Sequence, residues 1–241
     1  AQTRTDNSTT EYANLQPGEQ VGVYIIERIE AGAETSLKPT GNIFDNLLLS
    51  CQSEGILKPQ NETYYPLNIS YVDLYAYAPY DAATEIDSNR LLSFFVQQDQ
   101  SSSGLIRKSD LLWSKKLNVS TTSVSAPSLT FNHCLSKLII NLKAGVGVTL
   151  DNTAVKITGT KIGAKLNMID GTLAEAQGDV VEITPMVHAG KFEYEAIIIP
   201  QTVTEGTKLF NIINNGKTYY CTVKDSKEFN PGTKYAYDIT I

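Results

Sequence analysis

The sequence contains few of the side chains that nucleophilic catalysis and metal binding require. Among its 241 residues are two histidines, His133 and His188, and three widely separated cysteines, Cys51, Cys134 and Cys221. The cysteines form no CxxC pair and the histidines no H-x-H or H-x-x-x-H spacing, so neither a zinc signature nor a disulfide framework is present. We therefore expect no metal and no cofactor.

Concentrated positive charge and long apolar runs are also absent. The 20 Lys and Arg residues are scattered through a chain of net charge −6, whereas nucleic-acid binding leaves a basic patch. Acidity also disfavours electrostatic contact with a membrane surface. No apolar run approaches the ~20 residues that span a bilayer, and the polar start, AQTRTDNSTTEYANL, lacks a signal-peptide core. The chain is therefore cytosolic or a mature form whose export signal has been removed.

Sequence motifs of common enzymes and ion sites are missing as well. There is no G-x-S-x-G elbow, and the glycines of GVG (145–147) and GTKIG (159–163) lack the pattern of a phosphate loop. The loop YDAATEIDSNR carries Asp81, Glu85 and Asp87. A calcium site is the functional alternative there, but the D-x-[DN]-x-[DN]-G pattern is absent, which favours a solvated face.

The adjacent pair His133–Cys134, in FNHCLSK, is the strongest candidate for a reactive centre. Neighbouring side chains of a strand point to opposite faces, so this pair cannot place a base within ~3 Å of the thiol. We interpret both residues as structural, and a thiol enzyme using Cys134 or Cys221 remains a distant alternative. Apolar residues change from odd to even positions after Leu135, which predicts a bulge or bend near Ser136–Lys137.

Alternation of apolar and polar residues is the dominant positive signal, and it predicts β-strands. It recurs in EQVGVYII, SYVDLYAYAPY, KFEYEAIIIP and PGTKYAYDITI. Asn215–Gly216 predicts a tight hairpin turn, and Asp170–Gly171 a second one. IFDNLLLSC fits a helix or a buried strand equally well, and Ser109 of KSDLLW could cap a short helix.

These short strands with repeated turn signals favour an all-β fold built of sandwiches. The segment NVSTTSVSAPS (118–128) is rich in Ser and Thr and nearly halves the chain. We therefore predict two β-sandwich domains, 1–125 and 126–241.

Thirteen tyrosines accompany a single tryptophan, and several lie in the region 64–80. Alternating tyrosines on strands mostly pack as half-buried sheet residues. The alternative is that they stack on sugars, and the candidates for such ligand contacts are Tyr64, Tyr65, Tyr75, Tyr77 and Tyr80.

Five segments in this order resemble the fimbrillin (Mfa-like) proteins, which are pilus and surface subunits of Bacteroides-type bacteria. The segments are GEQVGVYI, YYPLNISYVDLYAYAPY, VQQDQSSSGLIRKSDLLW, PSLTFNHCLSKLIINLK and YEAIIIPQTV with PGTKYAYDITI. The resemblance runs from about residue 18 to the C-terminus.

The resemblance implies two tandem transthyretin-like β-sandwich domains and a non-enzymatic, type V pilus-like subunit for surface assembly and cell adhesion. It further implies export through the periplasm, outer-membrane association by a lipid anchor, and other pilin subunits as partners through β-strand addition. A surface lipoprotein that does not polymerise and binds a glycan or host protein is the alternative.

Two positions bear on the subunit's place in a pilus. Arg4 stands where family members are often cleaved, so it is a candidate processing site; a solvated tail arginine is the alternative. The chain ends at Ile241 without the additional segment that shaft subunits donate, which leads us to expect a tip, accessory or anchor role.

Overall fold

The computed structural model describes residues 3–5, 15–32, 36–123 and 125–241, and almost all regular structure in these ranges is β. Its strands in chain order are β1 Thr3–Thr5, β2 Gln20–Arg28, β3 Phe44–Cys51, β4 Leu57–Pro59, β5 Tyr71–Ala78, β6 Leu91–Phe95, β7 Leu112–Ser120, β8 Thr130–His133, β9 Ser136–Lys143, β10 Thr153–Ile157, β11 Lys161–Asn167, β12 Gln177–Val180, β13 Met186–Val187, β14 Glu193–Ile198, β15 Thr202–Val203, β16 Lys208–Asn214, β17 Lys217–Thr222, β18 Lys227–Glu228 and β19 Lys234–Thr240. One α-helix, α1 Ser103–Ser109, and a 3-10 turn at Ser53–Gly55 accompany them.

The described chain divides into two compact units, each discontinuous in sequence. Unit 1 comprises 1–93, 111–134 and 165–174, and unit 2 comprises 94–110, 135–164 and 175–241. The two domains predicted from the sequence, 1–125 and 126–241, stay a prediction.

Unit 1 is built on a seven-stranded sheet of order β1-β8-β7-β5-β2-β3-β4. Its pairs are antiparallel except for β1 and β8, which run parallel. Strands β2 and β5 are central and buried on both faces, as their nearly continuous apolar sequences predict. One face carries Val21, Val23, Ile25 and the even-numbered residues of β5, which form the apolar core with segments near Leu57 and Leu129.

The other face of this sheet carries tyrosines and is covered by the turn at 168–171. The Trp113 indole N–H donates to the carbonyl of Met168 at 3.1 Å, and the Lys115 ammonium donates to the carbonyl of Ile169 at 3.0 Å. Gly171 has a positive φ of 78° and lies so close to the Trp113 ring that a Cβ would clash with it. The turn therefore needs glycine for its conformation and for its packing.

Unit 2 is a sandwich of the sheets β13-β14-β9-β19 and β10-β16-β17. Phe210 of β16 and Tyr237 of β19 pack edge-to-face with ring centroids 5.1 Å apart, and the Tyr194 hydroxyl donates to the carbonyl of Thr153. Alternate residues of the central strand β9 are buried. Two further sheets, β12-β11-β6 and β15-β18, complete the described strands. The predicted all-β sandwich class is confirmed.

The predicted turns are confirmed. Asn215 and Gly216, with φ of 46° and 78°, join β16 to β17. Asp170–Gly171 reverses the chain after β11, and a bridge joins Leu166 to Leu173 across it.

Two local predictions gave the wrong position for the feature they named. Ser109 ends helix α1, and Ser102 caps its N-terminus by accepting a hydrogen bond from the Leu105 N–H. The apolar phase change after Leu135 comes from a bend rather than a bulge: β8 ends at His133, the chain bends at Leu135, and β9 begins at Ser136 in another sheet. The side chains change face because the chain changes sheet.

Candidate functional site

An apolar groove of about 490 Å³ opens on the core face of the unit 1 sheet, beside strand β3. Among the residues that the structure describes, no charged side chain lines it. Its lining is aliphatic and aromatic, from strands β2, β3, β4 and β5 and from the segments that cross this face: Val23, Ile25, Phe44, Leu47, Leu49, residues 55–57, Pro59, residues 63–65, Leu74, Ala126, Pro127 and Leu129. We call it the β3 groove.

The described segments that pack on the core at this face include non-strand residues such as Tyr65 and Leu129. Leu57, Tyr65 and Leu129 come from the segments that pack on the core there. Burial raises the pKa of the Tyr65 hydroxyl, as expected for a phenol against apolar walls. Phe44, Leu47 and Leu49 remain only partly buried although they pack on the core.

Strand β3 also has an open backbone edge next to the groove. On one side it pairs with β2 from Phe44 to Ser50. On the other side, β4 pairs only with Leu49, Ser50 and Cys51. In the described ranges no strand pairs with the 44–48 part of that edge, and an unpaired strand edge is a template for pairing with another chain.

A bulge in β3 directs the groove residues to one face. The β2–β3 register shifts between Val23, which pairs with Leu47, and Ile25, which pairs with Phe44. Asn46 sits in the bulge with a positive φ of 51°. The Tyr77 hydroxyl donates to its Oδ1 at 2.9 Å, and its Nδ2 donates to the carbonyls of Asp81 and Thr84 at 3.0 and 3.2 Å. Phe44 and Leu47, three residues apart, therefore face the groove together.

Among the predicted ligand-contact tyrosines, Tyr64 is the exposed one. It lies at the groove with 75% of its surface exposed, and its hydroxyl donates to a Glu62 carboxylate oxygen at 2.8 Å. Tyr65, in the groove wall, and Tyr80 are half-buried. A ligand role for these three residues stays a prediction.

Tyr75 and Tyr77 are packing residues of the sheet face opposite the groove. Their exposed fractions are 3% and 1%. Lys115 lies 5.6 Å from the Tyr75 ring centroid, and burial raises the pKa of both hydroxyls. These two rings offer no free face to a ligand in this structure.

The histidines and cysteines lie in packing positions. The Cys134 thiol is buried within 3.7 Å of the carbonyl of Asn132, beside half-buried His133. The His188 Nε2 lies 3.2 Å from Oε2 of the buried Glu195. Burial raises the pKa of the Cys221 thiol, which lowers the fraction of reactive thiolate at neutral pH.

The acidic loop at 81–87 binds its own backbone. Asp87 accepts from the N–H groups of Asn89 and Leu91 at 2.8 and 3.0 Å, and it lies 3.5 Å from the Lys165 ammonium. Asp81 accepts from the N–H of Ala83. Within 15–32, 36–123 and 125–241, no cluster of three His, Cys, Asp or Glu residues has the geometry to hold a metal ion.

The candidate processing residue, Arg4, lies in the short edge strand β1. Its register partner is Phe131 of β8, and the two strands run parallel. Its side chain is outside the described part, and its role as a cleavage site stays a prediction. No helix in the described part has the length and apolar character needed to span a membrane.

Comparison with solved structures shows the same fold in Bacteroides proteins described as cell adhesion or fimbrial proteins. A candidate cell adhesion protein from Bacteroides uniformis superposes with a TM-score of 0.71 at 22% identity, covering 100% of this chain and 91% of that one. A second, from Bacteroides ovatus, gives 0.73 at 20% identity, with 99% and 89% covered. A fimbrial protein from Bacteroides ovatus gives 0.55 at 16% identity, with 99% of this chain and 48% of that chain covered.

A search of curated proteins finds no match. The family model described as Fimbrillin-like matches residues 3–241, nearly the whole sequence. The resemblance carried by the tyrosine-rich and FNHCLSK segments is thereby confirmed, and the chain belongs to the fimbrillin-like family.

Proposed function

We propose that this chain is a fimbrial subunit for surface assembly and cell adhesion, and that it accepts a β-strand from a neighbouring subunit at the β3 groove. Membership of the fimbrillin-like family supports the general role. The observation that supports strand addition is the open 44–48 edge of β3 directly beside an uncharged groove.

Strand addition would use the open edge of β3 and the β3 groove at once. The incoming backbone would form ladder hydrogen bonds with the open edge, and its alternate side chains would enter the groove. An apolar groove beside an unpaired edge is also a liability in an isolated subunit, because it promotes non-specific association. A donor strand should therefore be apolar at every second residue.

A charge placed in the groove tests this assignment. We expect Leu47→Arg to abolish incorporation into fibres when the chain is produced in the source bacterium, because burying the unpaired guanidinium under a donor strand costs several kcal/mol. The matched control is Ile29→Arg, at a position that is 84% exposed and does not line the groove. Fibre incorporation is measured by sedimentation, and folding of each variant by circular dichroism.

Normal incorporation of a folded Leu47→Arg variant would contradict the proposal, as would equal loss in Ile29→Arg. Three finer points stay predictions: cleavage after Arg4 before assembly, a tip, accessory or anchor position, and attachment to the outer membrane by a lipid anchor after periplasmic export. The absence of enzymatic activity is also part of the proposal.

A surface protein that binds glycan or host protein without polymerising is the second candidate. The exposure of Tyr64 favours it, because a free phenol ring at the edge of an apolar groove can stack on a sugar or a partner side chain. Saturable binding on a glycan array that is lost in Tyr64→Ala, together with normal surface display of the Leu47→Arg variant, would favour this candidate.

A further inference from the structure

A second cavity, of about 670 Å³, lies within unit 2 and is lined by both polar and apolar side chains. Its floor is the outer face of the sheet β10-β16-β17, where Asn211 and Tyr220 are register partners. Phe210 and Ile212, which alternate with Asn211, are buried on the inner face. Its walls come from residues 158–159, Lys161, Val180 and residues 201–204 and 206–208. We call it the threonine cleft after Thr158, Thr202, Thr204 and Thr207.

The floor of the threonine cleft presents an aromatic ring to solvent. Tyr220 is 53% exposed, although it lies in the middle of a hairpin strand. The Lys208 ammonium lies 3.9 Å from its ring centroid, a distance at which the ring and the cation attract each other. An exposed tyrosine in a concave site offers an apolar face to the C–H groups of a sugar ring.

Positive charge in the cleft is not neutralised by carboxylates. Two lysines, Lys161 and Lys208, line it, and no Asp or Glu does. Glu205, the one acid in the wall segment 201–208, is not a lining residue. Within the described residues neither lysine has a carboxylate at ion-pair distance; the Lys161 ammonium donates to the carbonyl of Ala176 at 3.3 Å.

The cleft also holds a polar atom that lacks a partner. The Asn211 Oδ1 is buried and accepts no hydrogen bond within the described part of the chain. A buried acceptor without a donor costs free energy, and the Asn211 side chain that carries it lines the cleft. Gly159 allows close packing at the rim, since a Cβ there would lie 2.6 Å from a methyl carbon of Thr207.

We propose that the threonine cleft binds an acidic saccharide, one that bears a carboxylate or a sulfate group. Tyr220 stacks on a sugar ring, Asn211 accepts from a ring hydroxyl, and Lys161 with Lys208 pairs with the anionic group. The assignment deepens the adhesion role by naming a ligand class. It involves no residue of the β3 groove, so binding and strand addition can be tested separately.

The test is a titration of the purified full chain with acidic and neutral oligosaccharides, followed by calorimetry. The probes are a galacturonic acid trimer, a sialyl-lactose, a heparin-derived sulfated tetrasaccharide, and lactose as the neutral comparison. We expect saturable binding of at least one acidic probe, weakened as salt rises. Carboxylate and sulfate sources are distinguished by which probe binds.

Variants locate the binding to the cleft. Tyr220→Ala and the double variant Lys161→Gln/Lys208→Gln should each weaken binding about tenfold or more, equivalent to about 1.4 kcal/mol. The matched control is Lys217→Gln, an exposed residue of β17 that does not line the cleft. The proposal is overturned if no acidic probe binds, if lactose binds as well as the acidic probes, or if Lys217→Gln weakens binding as much as the cleft variants.

Discussion

Asp73 is a buried carboxylate of unit 1; it lies on strand β5 with no exposed surface. The Arg28 guanidinium donates to both of its oxygens at 2.7 Å, and the Asn118 N–H donates to Oδ1 at 2.7 Å. Hydrogen bonding to Asp73 raises the pKa of Arg28. This bidentate geometry compensates both groups for the loss of water.

Removing one partner should leave an unpaired buried charge. We expect Asp73→Ala to lower the free energy of unfolding by about 3–5 kcal/mol. The double variant Arg28→Met/Asp73→Leu should recover much of that loss, because neither buried charge remains. Urea unfolding measures both, with Asp225→Ala, at an exposed aspartate, as the control. A loss below about 1 kcal/mol, the range of exposed ion pairs, would show that the pair is not buried in solution.

Asp87 should make stability depend on pH. Hydrogen bonds from the Leu91 and Asn89 N–H groups, together with Lys165, hold the pKa of its carboxyl below the usual value. A lowered folded-state pKa stabilises the native state above the unfolded-state value of about 4, and this contribution is lost as pH falls through the folded-state pKa.

The variant Asp87→Asn should therefore be less stable than the parent at pH 7. The difference in free energy of unfolding should shrink as pH falls below about 4. Unfolding by urea at several pH values measures it. A difference that stays constant across this range would show that the carboxylate charge is not responsible.

At the scale of single elements, sequence patterns predicted strands well wherever the pleat was regular. β2, β5, β14 and β19 match the alternating segments, and the Asn215–Gly216 turn follows from residue chemistry. The strand β3 could not be distinguished from a helix because its bulge at Asn46 places Phe44 and Leu47 three residues apart on one face. That spacing is also the helical one.

The break between β8 and β9 shows a related limit. The change of apolar phase was visible in the sequence, but a bulge and a change of sheet produce the same change of phase. The distinction depends on where the chain finds its next hydrogen-bonding partner: β9 pairs with β14 and β19, which begin more than 50 residues later. No local pattern carries that information.

At the scale of the whole molecule, composition and alternation were sufficient to predict the all-β class. Five short segments were sufficient to predict the family. The β3 groove was not predicted, because its existence depends on which face of a sheet is left without a covering layer. The sequence shows that Val23, Ile25 and Leu74 are apolar, but not that they line a groove. Packing, the favoured interpretation of Tyr75 and Tyr77, agrees with their burial, because both faces of β5 are buried; a ligand role for them stays a prediction.

The threonine cleft also depends on assembly from distant segments. Its residues come from several separate stretches between 158 and 220 with no common motif. Tyr220 was one tyrosine among thirteen, and the exposure that distinguishes it is a property of the sheet.

The most direct test of strand addition is photo-crosslinking from inside the β3 groove. The photoreactive residue p-benzoylphenylalanine replaces Leu47, or Ile29 as the control, in chains produced by the source bacterium, and crosslinked peptides are identified by mass spectrometry. We predict crosslinks from position 47 to an alternating apolar segment of another fimbrial subunit, and none to that segment from position 29. If position 47 crosslinks only within its own chain, or both positions capture the same partners, the groove does not accept a neighbouring strand.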